Sequence, residues 1–166
     1  MPPRTTAITG TAGEHLVAAR LAGMGYVVAL TRGGSPNIDL LVSTQDAQNS
    51  LSLQVKTSAD AYRPRVKHPE ETHWEWQMSE KAIDLKASSL WYAFVDLKGW
   101  PEVRSGETLA HPEVFLVPSD IVAAEIRDEK AKKWTKYLFM VYSNEVDEYR
   151  ERWDRLVEAL KGKKSP

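Results

Sequence analysis

The chain has 166 residues, of which 42% are hydrophobic and 27% are charged, and its formal net charge is −1 at pH 7. This composition is typical of a globular protein that buries a core, and one domain is the default for this length. The near-neutral charge argues against a protein that coats nucleic acid by bulk charge, although it permits a local basic groove. The absence of cysteine excludes disulfides and thiolate metal sites.

The sequence offers no candidate for a membrane anchor. No stretch approaches the ~20 apolar residues that span a bilayer. Residues 1–9 contain no long apolar run, so we expect no signal peptide and a cytoplasmic protein. We expect residues 1–9 to form a flexible arm and residues 10–160 a single domain, with a core over 10–97, an elaboration over 98–160 and a tail over 161–166.

A first helix is predicted from about Ala12 to Met24. Thr11 and Glu14 have the spacing of a capping box, which predicts a helix start at this point. Glu14 also lies three residues before Val17 on the apolar stripe of this helix. The capping box alone explains the presence of Glu14. The position of Glu14 on the apolar stripe nevertheless favours a role in a functional site.

Two short apolar runs, Ile38–Val42 and Leu51–Lys56, predict a pair of strands joined by a polar, turn-rich connection. A further strand over Tyr26–Leu30 precedes them. In the second run the side chains alternate between two faces. One face carries Leu51, Leu53 and Val55, and the other carries Ser52, Gln54, Lys56 and Ser58.

Asp39 opens the first of these runs, where its side chain can meet Gln54 and Lys56 across the strand pair. A carboxylate, an amide and an amine on a covered face are costly to bury unless they bind something. Asp is also disfavoured within strands, so we favour a functional role for Asp39 over a turn role.

Residues 57–77 are predicted to be the longest irregular stretch, and long loops in compact domains are often functional. The elements expected after this loop are a helix over 79–87, a strand over 90–97, a strand over 114–117, a helix over 119–130, a strand or apolar lead-in over 137–142, and a last helix over about 144–160. The apolar stripe of the last helix is expected to pack on its own domain, and a homodimer contact is the alternative.

The order helix, three strands, helix, strand resembles the PD-(D/E)XK nuclease superfamily, the restriction-endonuclease-like fold with its αβββαβ core. Asp39 matches the Asp that opens the second strand, and Gln54-Val55-Lys56 matches the Q-x-K variant of the third-strand signature. Glu14 matches the helix acid of the archaeal Holliday-junction resolvase and Mrr-like branches. The chain departs from the pattern at Ile38, where the family has Pro. The resemblance implies an α/β fold with a mixed central sheet flanked by helices, plus an extra C-terminal strand and helices.

This resemblance implies a Mg²⁺-dependent nuclease that hydrolyses DNA, with Mn²⁺ as a substitute metal. Asp39 is then the main metal ligand, and the Gln54 side-chain oxygen, Glu14 and the Val55 carbonyl complete the set, all hard oxygen donors. Lys56 orients the attacking water and stabilises charge on the phosphate. Because a neutral amide stands in place of the usual second acid, we expect one weakly held metal.

Substrate contacts are expected downstream of Lys56. Arg63, Arg65 and Lys67 form a basic cluster able to contact phosphates, and Ser58 is a further polar contact. Trp74 and Trp76 are candidates for stacking on bases, although such a pair more often covers a core edge. The alternative function is a catalytically inactive member of the fold that binds nucleic acid or a protein partner. The sequence does not distinguish DNA from RNA.

Overall fold

The computed structural model describes residues 5–31, 37–100, 111–132 and 136–162. These residues form a mixed α/β fold with a five-stranded central sheet and a second, three-stranded sheet, as expected for the fold class. The α-helices are α1 (Thr6–Gly23), α2 (Ser119–Ala131) and α3 (Trp153–Lys161). The strands are β1 (Val27–Leu30), β2 (Leu40–Ser43), β3 (Ser50–Ser58), β4 (Tyr62–Arg63), β5 (His73–Met78), β6 (Leu90–Asp96), β7 (Glu113–Pro118) and β8 (Tyr137–Tyr142). None of the helices in these ranges is long and apolar enough to cross a membrane.

The central sheet has the order β1-β2-β3-β6-β7. The first three strands form an antiparallel meander, β6 runs parallel to β3, and β7 runs antiparallel to β6. A parallel pair requires a crossover connection, which is commonly an α-helix. Here the crossover contains β4, β5 and a short 3₁₀ helix over Glu80–Asp84. The helix predicted from Ser79 is therefore only this 3₁₀ turn, and Ser79 makes no side-chain cap.

Two hydrophobic cores lie on opposite faces of the central sheet. Strand β6 is buried along its whole length, as predicted for a central strand, and its side chains alternate between the two cores. Trp91, Ala93 and Val95 join the core beneath α1 and α3, whereas Tyr92 and Phe94 join the core beneath α2 and the second sheet. The middle of the sheet at β6 is thus covered on both faces.

The second sheet has the order β4-β5-β8, and its strands β4 and β5 begin within the stretch predicted to be irregular. That prediction was wrong because β5 pairs along its whole length with β8, more than sixty residues later, a partner that local pattern does not reveal. Trp76 is 3% exposed and its indole N–H donates to the Val95 carbonyl at 3.0 Å. The ring centroids of Phe94 and Phe115 lie 5.2 and 5.1 Å from the ring centroid of Trp76.

The first helix begins six residues earlier than predicted. Thr5 is the N-cap and its hydroxyl accepts a hydrogen bond from the Ile8 amide, so the expected arm is helical from Thr6. Thr11 lies inside the helix and donates to the Ala7 carbonyl at 3.1 Å. The proposed capping box is therefore wrong, and its spacing cannot explain Glu14.

The last helix is shorter than predicted and starts at Trp153, after a 3₁₀ turn over Val146–Glu148. Trp153, Leu156 and Leu160 are buried in the same core as α1, which confirms that the stripe packs on its own domain. These contacts use the face that the homodimer alternative required. Helix α2 begins at Ser119 as predicted, although the Ser119 hydroxyl bonds to Ala87 instead of capping the helix.

Glu125 on α2 is a carboxyl group held against the edge of the second sheet. It accepts a hydrogen bond from the Met140 amide of β8 at 3.0 Å. Burial raises the pKa of Glu125 to about 7, and Glu145 and Glu129 add to the rise against the opposing effect of the Met140 hydrogen bond. Its charged form therefore opposes folding at neutral and alkaline pH.

We expect Glu125→Gln to stabilise the protein at pH 8 by about 3 kcal/mol, the equivalent of this rise in pKa from 4.5 to about 7. Below pH 4.5 the carboxyl is protonated in both the folded and unfolded states, so the difference should vanish. Urea denaturation at pH 4 and pH 8 measures the difference in unfolding free energy between the variant and the wild type. Exposed Glu158→Gln is the control and should show no such pH dependence. A gain that is equal at both pH values would contradict the assignment.

Candidate functional site

Asp39 lies directly before β2 and contacts β3 through both its backbone and its side chain. The Asp39 amide donates to the Leu53 carbonyl at 2.8 Å, and its Oδ2 accepts from the Val55 amide at 2.7 Å. These two contacts lie on either side of Gln54, so the carboxylate is fixed beside the predicted Q-x-K signature. Asn37, which precedes it, has a φ of 71°, a left-handed conformation that Asn tolerates better than most residues.

The pairing between β2 and β3 stops at the pair Leu40–Leu53. The following residues of β3, 54–58, therefore have a free edge on the side where β2 lies. On the opposite edge, the same residues of β3 pair with β6, with Gln54 opposite Tyr92 and Ser58 opposite Asp96. Because the Val55 amide points to the free edge, its carbonyl points there as well. An oxygen acceptor therefore lies on the same strand edge as the Asp39 carboxylate.

The predicted alternation of β3 is confirmed. Leu51, Leu53 and Val55 are buried, whereas Gln54 and Lys56 are half-buried on the opposite face. Gln54 and Lys56 are two residues apart and project from the same face of one strand. The sequence therefore predicted correctly that Gln54 and Lys56 share one face of β3.

Helix α1 brings Glu14 to the same end of the sheet. Gly13 is buried against Thr57, and a Cβ on Gly13 would lie only 2.0 Å from the Thr57 hydroxyl oxygen. This glycine therefore permits the close approach of α1 to β3. Burial raises the pKa of Glu14, and the negative charge of Asp39 raises it further, against a lowering by His15. The two carboxylates thus repel one another in the absence of a cation.

Tyr92 lies beside Gln54 on the neighbouring strand β6 and was not predicted from the sequence. Its side chain is fully buried, and its hydroxyl has no hydrogen-bond partner among the described residues. Burial raises its pKa to about 12, and Asp39 contributes to the rise. Its place in a wholly apolar run gave no signal that it borders the site.

A cleft of about 740 Å³ begins at Lys56 and extends between α1 and the second sheet. Its lining includes the predicted contacts Ser58 and Arg63. It also includes Lys136 and Glu75, which sequence analysis did not identify because strand pairing brings them there. Arg63 Nε bonds to Glu75 Oε1 at 2.8 Å, so its charge is partly neutralised. The cleft is lined by three basic side chains and one acidic side chain.

The other four predicted substrate contacts lie on an exposed loop or are packed in the core. Arg65 and Lys67 are exposed on the β4–β5 loop and do not line the cleft at Lys56. Trp76 borders the cleft, but it is only 3% exposed, and its indole N–H and ring already contact protein. Trp74 is 9% exposed and contacts Tyr62 and Phe115, so it too belongs mainly to the core.

The predicted ligands have the chemistry that a hard cation prefers. Asp39, Glu14, the Gln54 amide and the Val55 carbonyl all present oxygen, which Mg²⁺ and Mn²⁺ prefer. Only two of these donors are acidic. Within the described ranges, the one group of three acidic or histidine ligand atoms within 4.8 Å of one another is His68, Glu70 and Glu71, exposed on the β4–β5 loop.

No protein-family model matches the sequence. No curated protein matches it either. Among solved structures, the fold is similar to that of a bacterial homing endonuclease, I-Ssp6803I, with a TM-score of 0.57 over 96% of each chain. The chain has an endonuclease-like fold. The sequences are 13% identical, so the similarity concerns the fold alone.

The close contact of α1 with β3 yields a stability prediction. Gly13→Ala should destabilise the protein by about 1–3 kcal/mol, the usual cost of overpacking, because the new methyl overlaps Thr57. Gly10→Ala in the same helix is the matched control, since nothing lies within 4 Å of its Cβ position. It should stabilise the helix by up to about 1 kcal/mol. Urea denaturation measures both, and equal effects of the two substitutions would refute the close approach.

Proposed function

We propose that this protein is a metal-dependent nuclease of the PD-(D/E)XK type that hydrolyses DNA phosphodiester bonds. The observation that carries the proposal is the position of Asp39, hydrogen bonded on either side of Gln54 at a free strand edge. Glu14 approaches from α1 and Lys56 from β3, which matches the arrangement that the sequence resemblance implies. The endonuclease-like fold supports the same function without establishing it.

Each residue has a distinct role in this proposal. Asp39, Glu14, the Gln54 side-chain oxygen and the Val55 carbonyl would hold one Mg²⁺. The bound cation would supply charge neutralisation at the phosphate and activation of a water. Lys56 would hold the attacking water and stabilise the negative charge that develops on the phosphate. The amide of Val55 fixes the Asp39 carboxylate, which leaves its second oxygen for the cation.

The cleft beside Lys56 supplies the proposed surface for nucleic acid. Lys56 and Lys136 both line it, and Lys136 is exposed. Arg63 contributes a donor already ordered by Glu75. Phosphate contacts of this type position the substrate and carry no sequence information by themselves. We propose DNA as the substrate and leave the structure of the cleaved DNA to experiment.

Cleavage of supercoiled, branched and single-stranded DNA in the presence of MgCl₂ tests the activity. Asp39→Ala and Lys56→Ala should each reduce cleavage by at least about 100-fold, the order seen when a group that stabilises transition-state charge is removed. Exposed Asp84→Ala and Lys81→Ala are matched controls and should retain the wild-type rate. Wild-type protein that cleaves none of these substrates, nor RNA, with Mg²⁺ or Mn²⁺ would contradict the nuclease proposal.

Calorimetry with Mn²⁺ distinguishes the metal-binding role of Asp39 from the role of Lys56, which acts on the water and the phosphate. Asp39→Ala should abolish Mn²⁺ binding because it removes the main ligand. Lys56→Ala should retain Mn²⁺ binding because Lys56 acts on the water and phosphate and does not contact the metal. Loss of binding in both variants would contradict this division of roles, and equal binding by Asp39→Ala and the wild type would place the metal elsewhere.

A catalytically inactive member of the fold that binds nucleic acid is the second candidate. The observation that favours it is the Val55–Asp39 hydrogen bond, which already occupies one carboxylate oxygen of a site with only two acids. In this case Asp39→Ala would leave DNA binding intact.

Both candidates predict DNA binding through the cleft. Lys136→Gln should reduce the slope of log K against log salt concentration by about 1, the change expected for one lost phosphate contact. Lys161→Gln, at the end of α3, is the control and should leave the slope unchanged. Fluorescence anisotropy over a salt series measures both, and identical slopes for the two variants would exclude Lys136 from the interface.

A further inference from the structure

The hydroxyl of Tyr92 is a buried polar group to which the core packing gives no partner. Tyr92 is 0% exposed, and its hydroxyl oxygen has no hydrogen-bond partner among the described residues. A buried hydroxyl without a partner costs free energy. A group that bonds to this hydroxyl in another state of the protein would recover that free energy.

The ring that carries the hydroxyl is held in one position. Tyr92 stacks on Phe94, with ring centroids 5.6 Å apart and ring planes 12° apart. Both rings belong to the core beneath α2 and the second sheet. Solvent does not reach the hydroxyl oxygen, so a partner must be a neighbouring side chain that turns towards it.

Gln54 is the polar residue among the neighbours of Tyr92 on this face of the sheet. Tyr92 lies between Gln54 of β3 and Val117 of β7. Along β6, its neighbours on the same face are Leu90 and Phe94. Three of the four neighbouring side chains are therefore apolar, and Gln54 alone among them carries hydrogen-bonding groups.

Gln54 also lies between Tyr92 and Asp39, which bonds to β3 on either side of Gln54. Burial and, to a smaller extent, the charge of Asp39 raise the pKa of Tyr92, which is consistent with a hydroxyl close to this carboxylate. One side of Gln54 therefore faces a neutral hydroxyl, and the other side faces the main predicted metal ligand.

The side-chain amide of Gln54 has two different ends. Its oxygen accepts hydrogen bonds and its NH₂ group donates them. A hard cation requires the oxygen, so the NH₂ group of a ligating Gln54 needs an acceptor on another side. The hydroxyl oxygen of Tyr92 is such an acceptor. Gln54 is half-buried, and its side chain makes no hydrogen bond within the described ranges, so no contact holds the amide in another orientation.

We propose that Tyr92 is a positioning residue that orients the Gln54 amide for metal binding. The Tyr92 hydroxyl oxygen accepts a hydrogen bond from Gln54 Nε2, which directs Gln54 Oε1 towards the cation at Asp39. The inference rests on the proposed metal site, and it explains how a neutral amide serves there in place of an acid. Removal of an outer contact of this kind typically weakens metal binding by about 10–100-fold.

Calorimetric titration of the full chain with MnCl₂ tests the proposal, because Tyr92→Phe removes only the hydroxyl oxygen. The Kd for Mn²⁺ should rise at least about tenfold. Tyr149→Phe is the matched control, a buried tyrosine of the same core that bonds to β7, and it should leave the Kd unchanged. An unchanged Kd in Tyr92→Phe would overturn the proposal. Wild-type protein that does not bind Mn²⁺ would contradict the proposed metal site itself, and this inference with it.

Urea denaturation of the metal-free protein distinguishes positioning from a structural role. Tyr92→Phe should unfold at the same urea concentration as the wild type or at a higher one, because the variant lacks an unsatisfied buried group. A lower midpoint would identify a stabilising hydrogen bond in the metal-free protein and would overturn the proposal.

Gln54→Glu tests whether the Tyr92 hydroxyl acts through the amide. A carboxylate presents oxygen in either orientation, so it needs no partner to select one. Tyr92→Phe should therefore weaken Mn²⁺ binding at least about tenfold when residue 54 is Gln and less than about threefold in the Gln54→Glu background. An equal loss in both backgrounds would show that the hydroxyl acts on Asp39 or through packing, and would overturn the assigned role.

Discussion

The hydrogen bond from the Val55 amide to the Asp39 carboxylate is the contact on which the candidate site depends. Strand β2 begins its pairing with β3 at Leu40, and without this contact the Val55 amide would be an unpaired edge donor. A hydrogen bond to a charged group contributes about 1.5–3 kcal/mol. The same contact therefore ends the ladder between the two strands and fixes the carboxylate beside Gln54.

The second constraint is the close approach of α1 to β3 at Gly13. It brings Glu14 near Asp39, and the raised pKa of Glu14 reflects burial and the repulsion between the two carboxylates. Folding thus places two acids close to one another, an arrangement that favours proton or metal binding. Lys56 projects from the same face of β3 as Gln54 and lines the cleft.

The parts of the fold that the sequence predicted are those determined by local pattern. Alternation over 51–58 gave the faces of β3, and the apolar run over 90–97 gave a buried central strand. The failures come from partners distant in sequence. Strand β5 was missed because β8 pairs with it, and Lys136 and Glu75 reach the cleft through that pairing. Tyr92 was missed because a buried tyrosine in an apolar run is indistinguishable from core. The false capping box arose because Thr11 and Glu14 satisfy the spacing inside a longer helix.

A crystal of the protein soaked with Mn²⁺ and measured at the manganese absorption edge is the most direct test of the central claim. The account predicts one anomalous peak at the free edge of β3, within ligand distance of oxygens from Asp39, Glu14, the Gln54 side chain and the Val55 carbonyl. A single peak is expected because the site contains only two acids. The absence of density there, together with a peak at the exposed His68, Glu70 and Glu71 group, would contradict it.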